Sequence, residues 1–280
     1  MERLLTKKLA TGFQQQLRLE EKSENTLSKY MRDVTVFFAF AGKRVIRKEL
    51  VILFKQHLID RHYAVTTINS MLAALNCFFT WLGWTDCKVK MLKVQKQVYR
   101  PEEKELTQEE YQRLLSAANK KGNEQLYLLL QTICATGIRV SELQYITVEA
   151  VQRGEAKVNC KGKTRTIFLV KKLRKKLLAY IREKGLKSGP VFVTKRGKPL
   201  DRTRIWREMK GLCQQAKVDP RKVFPHNLRH LFARVFYGIE KDIAKPADIL
   251  GHSSIETTRI YIISTGSEHR QRMERMHLIL

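Results

Sequence analysis

Ala156-Lys157-Val158-Asn159-Cys160-Lys161-Gly162-Lys163-Thr164-Arg165-Thr166-Ile167-Phe168-Leu169-Val170 breaks the helical pattern of the chain around it. Its two ends, 156–160 and 166–170, are short β-rich runs, and a glycine lies in the Lys161–Arg165 stretch between them. That arrangement predicts a hairpin. Helical periodicity resumes near Lys171, Val191-Phe192-Val193 is a candidate third strand, and Asp201 is placed to cap the next helix. Upstream, Thr107-Gln108-Glu109-Glu110 has the form of a helix start, with a threonine cap and carboxylates near the positive end of the helix. Helices then run to about Ala135. Residues 106–280 therefore read as an α+β domain with a small β-sheet.

The N-terminal third has no such interruption. Ser23-x-x-Thr26 precedes Leu27, Tyr30, Val34, Phe37 and Phe38, whose spacings of three and four give one apolar helical face. Arg44 to Tyr63 repeats the pattern through Leu50, Ile52, Phe54 and Leu58. Thr66-Thr67 is expected to open a further helix carrying Ile68, Leu72, Leu75, Phe79 and Leu82, which Gly83 stops. Between 88 and 105, Lys88, Lys90, Lys93, Lys96 and Arg100 interrupt short apolar pieces ahead of Pro101, as in an exposed basic linker. The expected architecture is mainly α with two domains: a helical domain over 1–87, a linker over 88–105 and the α+β domain over 106–280.

The 280 residues carry a net charge of +27, and 43% of them are hydrophobic, enough for real cores. Residues 1–100 hold 18 basic and 8 acidic groups, and residues 101–280 hold 36 and 19, so the excess is not confined to a tail. A chain that wraps a polyanion needs this distribution, whereas a peripheral membrane protein concentrates its charge in one amphipathic helix. Nucleic acid is the favoured partner. Cys77, Cys87, Cys134, Cys160 and Cys213 are odd in number, widely spaced and without a C-x-x-C pair, as expected for reduced thiols in a cytosolic protein. No apolar run approaches the ~18–20 residues of a membrane span, and the N-terminus does not look like a signal peptide.

Three clusters carry chemistry. They are Ala135-Thr136-Gly137-Ile138-Arg139-Val140-Ser141-Glu142-Leu143, His226-Asn227-Leu228-Arg229-His230, and Leu250-Gly251-His252 running on to Tyr261. A phenol is only about 0.1% ionised at neutral pH, so a tyrosine nucleophile needs a base or a screened target. A DNA phosphodiester is an anion that gains charge as it is attacked. Two guanidinium groups on its non-bridging oxygens meet that need better than lysines, because the planar fork donates two parallel hydrogen bonds and stays charged. Arg139 and Arg229 are the candidates. His226 precedes Arg229 by three residues, shares its helical face, and can exchange protons near neutral pH. Ser253-x-x-Glu256 has the form of a capping box, which starts a helix just after His252 and puts Tyr261 about two turns along it. The leaving 5′ oxygen needs a proton, and Lys161 and Lys163 sit at the hairpin tip.

On these motifs the chain resembles the tyrosine recombinases, the integrase/Xer group. The order Arg, Lys, His-x-x-Arg, His, Tyr matches that family's full set over nearly the whole C-terminal half. Residues 23–83 resemble its helical core-binding domain through Ser23, Thr26 and Tyr30. The resemblance implies that Arg139 and Arg229 clamp the scissile phosphate, His226 exchanges protons and His252 bonds the phosphate. It also implies that Lys161 protonates the 5′ oxygen and that Tyr261 forms a 3′-phosphotyrosyl bond. Glu142 would orient the site, and no cofactor or metal is required. Four protomers would hold two specific sites in double-stranded DNA and exchange strands through a Holliday junction. The expected setting is cytoplasmic, on the nucleoid if the source is bacterial, and there is little room for a separate arm-binding domain.

Some residues depart from the family pattern. Cys160 stands where the Xer group usually has glycine, and the turn after Lys161 is one residue shorter, which keeps Lys163 as a rival general acid. Arg234 and Arg259 replace small or polar residues and could add phosphate contacts. His226 and His230 have the i, i+4 spacing of zinc ligands, but Asn-Leu-Arg between them puts a cation where a metal would lie; His230 is better read as packing behind the site. The tail from Ser264 to Leu280 ends in Met273, Met276, Leu278, Ile279 and Leu280, either packed on its own domain or exchanged between subunits as in the family. Two other functions fit less well: a type IB topoisomerase-like enzyme, and a catalytically silent DNA-binding regulator.

Overall fold

The computed structural model describes residues 3–94, 102–160, 163–252, 254–262, 270 and 273–276, apart from the side chains of Glu102, Cys160 and Lys163. It divides into two compact units, Met1–Lys96 and Gln97–Leu280.

The first unit is built from α1 (Lys7–Leu19), α2 (Glu24–Ala41), α3 (Lys48–Asp60) and α4 (Val65–Trp81). Ser23 caps α2 as its sequence suggests, accepting from the Thr26 N–H. The expected Thr66-Thr67 opening is not used: α4 starts at Val65 behind Ala64, with no side-chain cap. Phe13, Leu17, Val34, Phe37, Phe54, Leu75, Phe78 and Phe79 are fully buried between the helices. Their rings meet edge-on, Phe13 on Phe78 and Phe37 on Phe54, each with centroids 5.1 Å apart.

The first part of the expected linker belongs to this unit. The Asn76 amide brackets Val89, accepting from its N–H at 3.1 Å and donating to its carbonyl at 2.9 Å. Asn69 does the same to Leu92, at 2.8 Å both ways. Val89 is buried with Cys87. Val89 and Leu92 pack inward between the exposed Lys88, Lys90 and Lys93.

The second unit begins its helices with α5 (Gln108–Lys120) and α6 (Glu124–Thr136). Thr107 and Glu110 form the reciprocal capping box at the start of α5. A 3₁₀ segment, Val140–Tyr145, and α7 (Val148–Arg153) lead into β1 (Glu155–Cys160) and β2 (Lys163–Phe168). Next come α8 (Lys171–Glu183), α9 (Arg202–Lys210), capped by Asp201, and the short α10 (Cys213–Ala216). The unit continues through α11 (Pro225–Glu240), α12 (Ala244–Leu250) and α13 (Ile255–Ile262). Leu129, Ile133, Ile138, Val158, Leu177, Met209 and Leu228 are among its buried core.

β1 and β2 pair antiparallel, from Glu155 opposite Phe168 to Cys160 opposite Lys163. The strands reach further toward the tip than the sequence suggested, so Lys163, Thr164 and Arg165 belong to β2 and only Lys161 and Gly162 lie between the strands. The expected third strand at 191–193 does not form among the described residues. There are only isolated bridges, Thr147 to Pro190 and Val193 to Pro199. Both involve proline, which has no N–H to extend a ladder.

Candidate active site

The end of α6 sets the first group. Gly137 takes a left-handed conformation (φ 64°) that stops the helix. Two residues later the chain enters the 3₁₀ turn, which brings the Glu142 carboxylate back onto Arg139. Glu142 accepts from the Arg139 backbone N–H and from its Nη1, both at 2.9 Å. Glu142 is buried. Burial pushes its pKa up, but the Arg139 N–H and the charges of Arg165 and Arg139 outweigh that and hold it below the ordinary carboxylate value.

α11 carries His226 in its first turn and Arg229 one turn on. Arg229 is 1% exposed. Its guanidinium donates to the Gly137 carbonyl, to the Leu250 carbonyl at 2.7 Å and to His252 Nε2 at 3.0 Å. Its Nε is buried without a hydrogen-bond partner among the described residues. Burial first, and the neighbouring Arg139 next, lower its pKa to about 10, so it remains a cation at neutral pH.

α12 ends at Gly251, again left-handed (φ 64°), and the chain turns through His252 into α13. The Ser254 hydroxyl accepts from the Glu256 N–H at 3.2 Å; Ser253, the expected cap, lies outside the described residues. The His252 ring is held at both nitrogens, by Arg229 on Nε2 and by Thr258 Oγ1 at 2.8 Å on Nδ1. A guanidinium can only donate, so Nε2 accepts and the ring proton sits on Nδ1, donating to Thr258. Burial, then the charges of Arg229, Arg139 and Arg165, lower the His252 pKa to about 4, and the ring is neutral at pH 7.

Tyr261 completes the set from the second turn of α13. It is buried, and its hydroxyl lies 3.1 Å from His226 Nε2. Its ring packs on His230 with centroids 4.0 Å apart and on His252 at 4.8 Å. The sequence-selected residues Arg139, Glu142, His226, Arg229, His230, His252 and Tyr261 thus converge on one place. Lys161 lies outside the described residues, as does the side chain of Lys163. No cluster of three metal-ligating side chains occurs among the described residues; His226 and His230 face the tyrosine ring. Arg234, expected to reach phosphate, is instead paired with Glu105 and donates to the Leu106 carbonyl at 2.6 Å. Arg259 remains exposed, 3.8 Å from Glu256.

Two participants were missed. Thr258 fixes the His252 tautomer. Arg165 reaches from β2 to the Glu142 carboxylate and donates to the Ile249 carbonyl at 2.7 Å. The signal for Arg165 was present in strand alternation, which puts it on the same face as buried Ile167. Arg139, His226 and Arg229 also line a cavity of about 800 Å³, together with Ser141, Phe192, Asp201, Arg202 and Trp206, among others.

Residues 104–268 match the sequence profile of the phage integrase family, and residues 10–86 match the phage integrase N-terminal SAM-like domain. The tyrosine recombinase XerA of Pyrococcus furiosus is 30% identical, over 99% of this chain and 97% of the relative. The chain belongs to the phage integrase family. It is a tyrosine recombinase, a site-specific enzyme that breaks and rejoins DNA. A second recombinase relative, XerD of Halalkalibacterium halodurans, is 28% identical over 91% of this chain and 92% of its own length. Among solved structures, a lambda integrase dimer bound to a core site superposes with a TM-score of 0.77 at 17% identity, covering 93% of this chain and 96% of that one. A lambda integrase tetramer bound to a Holliday junction gives 0.75 at 18%, covering 91% and 76%. The recombinase fold, mainly α with a small sheet in its catalytic part, is the one expected from the sequence. Among the described residues, no helix is long and apolar enough to cross a membrane.

Proposed function

We propose that Tyr261 is the nucleophile that opens a phosphodiester at a specific recombination site in double-stranded DNA. Its hydroxyl oxygen bonds to phosphorus as the bond to the 5′ oxygen breaks. His226 takes the phenolic proton, and Lys161 or Lys163 supplies a proton to the leaving oxygen. A 5′ hydroxyl of the partner strand reverses the step, so the bond energy is conserved and neither ATP nor metal is consumed. The observation that carries this reading is the tyrosine hydroxyl within hydrogen-bond reach of a histidine, beside two guanidinium groups.

Arg139 and Arg229 hold the non-bridging oxygens in this scheme. Glu142 and backbone carbonyls orient their forks, and each guanidinium, with five N–H donors, keeps others for the phosphate. His252 then faces an anion beside the cations of Arg229, Arg139 and Arg165. Residues 1–87 supply further DNA binding and residues 106–280 the chemistry. Four protomers on two sites exchange strands through a Holliday junction, the kind of DNA to which the lambda integrase tetramer is bound. DNA as partner implies a cytoplasmic setting, on the nucleoid if the source is bacterial.

The test is covalent capture from a pool of random-sequence nicked duplexes. The native chain should form protein–DNA adducts on a recurring sequence, in EDTA as well as without it. Tyr261→Phe should bind that captured site and form no adduct. Adducts that persist in Tyr261→Phe, or vanish with EDTA, would remove the proposal.

A further inference from the structure

Arg165 ties together three parts of the site that are far apart in sequence. It sits in β2 opposite Val158, and its side chain is 13% exposed. One Nη donates to the Glu142 carboxylate, and the other donates to the Ile249 carbonyl near the end of α12. Glu142 in turn holds Arg139, and the Arg139 Nη2 reaches the Gly251 carbonyl at 3.4 Å. The result is a closed ring: Arg165, Glu142, Arg139, then the 249–251 backbone, and back to Arg165. Gly251 is needed for this closure. A Cβ there would stand 2.6 Å from Arg165 Cδ, and the backbone is left-handed at that point.

We propose that Arg165 is a positioning residue for DNA cleavage. It sets the Arg139 guanidinium and the turn bearing His252 in one arrangement that receives the scissile phosphate. The inference rests on the reading that Arg139 clamps that phosphate. A planar fork suits the task because its two arms reach acceptors on different elements at once. A lysine at 165 has a single ammonium on a flexible stem. It can neutralise Glu142 but does not hold the carboxylate and the Ile249 carbonyl in fixed relation.

The experiment measures adduct formation by the full chain on the captured DNA site, with Arg165→Lys, Arg165→Gln and Arg139→Ala beside the native chain. Each is assayed on the ordinary phosphodiester and on DNA whose scissile phosphate is a methylphosphonate. That group lacks the charge that Arg139 is there to meet. DNA binding by gel shift and the thermal midpoint are followed in parallel; if Arg165→Gln does not fold, Arg165→Lys carries the test. Both Arg165 variants should bind DNA as the native chain does and lose roughly ten- to hundredfold in cleavage rate on the phosphodiester, the scale of one charge-assisted hydrogen bond. On the methylphosphonate they should recover most of that loss, as Arg139→Ala should. Native cleavage rates in both Arg165 variants would overturn the inference. So would a defect that persists on the methylphosphonate while Arg139→Ala recovers, since that is the signature of a merely structural role. Failure of Arg139→Ala to show a defect or to recover would instead remove the clamp reading, and the positioning role with it.

Discussion

The Tyr261 hydroxyl lies 3.1 Å from Nε2 of His226, although the two residues are 35 positions apart and sit on different helices. The contact depends on two left-handed glycines. Gly137 ends α6 so that its carbonyl meets Arg229, and Gly251 ends α12 so that the chain can turn through His252 into α13. The tyrosine, the histidine and the arginine are therefore fixed by backbone turns as much as by their own packing.

Gly137→Ala should damage this arrangement directly. A Cβ at 137 would stand 2.6 Å from both Leu250 Cδ2 and Phe232 Cδ1, at a φ of 64°. The left-handed backbone costs a non-glycine residue about 1–2 kcal/mol, and overpacking adds roughly 1–3 kcal/mol. Urea unfolding should show the combined loss, and adduct formation should fall by more than DNA binding does.

Glu142→Gln should leave Arg139 and Arg165 without their shared anion. Replacing a charge-assisted hydrogen bond by a neutral one is expected to slow cleavage roughly tenfold or more. Single-turnover cleavage at saturating protein checks it. The native carboxylate also has a pH signature. Its folded pKa lies below its unfolded value, so its contribution to stability is present above the unfolded value and is lost as the pH falls through the folded one. Acid unfolding of the native chain should show a component that Glu142→Gln lacks.

His252 should titrate far below an ordinary histidine. With a pKa of about 4 against 6.5, its ring stays neutral through the range where a free imidazole charges. The sign follows from linkage: the unfolded state binds the proton first, so stability falls as the pH drops from the unfolded value through the folded one. Ring signals in a pH-titrated NMR spectrum should place His252 as an Nδ1–H tautomer at neutral pH. A midpoint near 6.5 would show that neither its burial nor the surrounding cations act on it.

The sequence made much of this legible because the chemistry lies in short motifs. Arg139 with Glu142, His226 with Arg229, and His252 with Tyr261 are each separated by less than three helical turns, so local periodicity places them. The two capping residues Ser23 and Asp201 and the capping box of Thr107 with Glu110 were readable for the same reason. What escaped depends on contacts across the fold. Arg165 meets Glu142 from 23 residues away, and Arg234 turns to Glu105 across 129. Charge alone marked Arg234 as a phosphate ligand, whereas a buried carboxylate claims it. Val89 and Leu92 were obscured because the asparagines that bind them lie a helix away.

Binding to DNA should depend steeply on salt. With the +27 charge spread through the chain, contact with 6–10 phosphates should weaken affinity by roughly 10³–10⁵ between 50 and 200 mM salt. A filter-binding titration across that range measures the slope. A flat response would mean that the basic surface does not meet the duplex.

The most direct measurement is the chemical identity of the trapped bond. Adducts formed by the native chain on the captured DNA site are digested with protease and nuclease, and the surviving nucleotide–peptide is sequenced by mass spectrometry. The expected product is the peptide containing Tyr261, esterified through its phenolic oxygen to a 3′ phosphate, with a free 5′ hydroxyl on the other DNA fragment. A link to any other residue, or to a 5′ phosphate, would contradict the assignment of Tyr261 as the nucleophile of this recombinase.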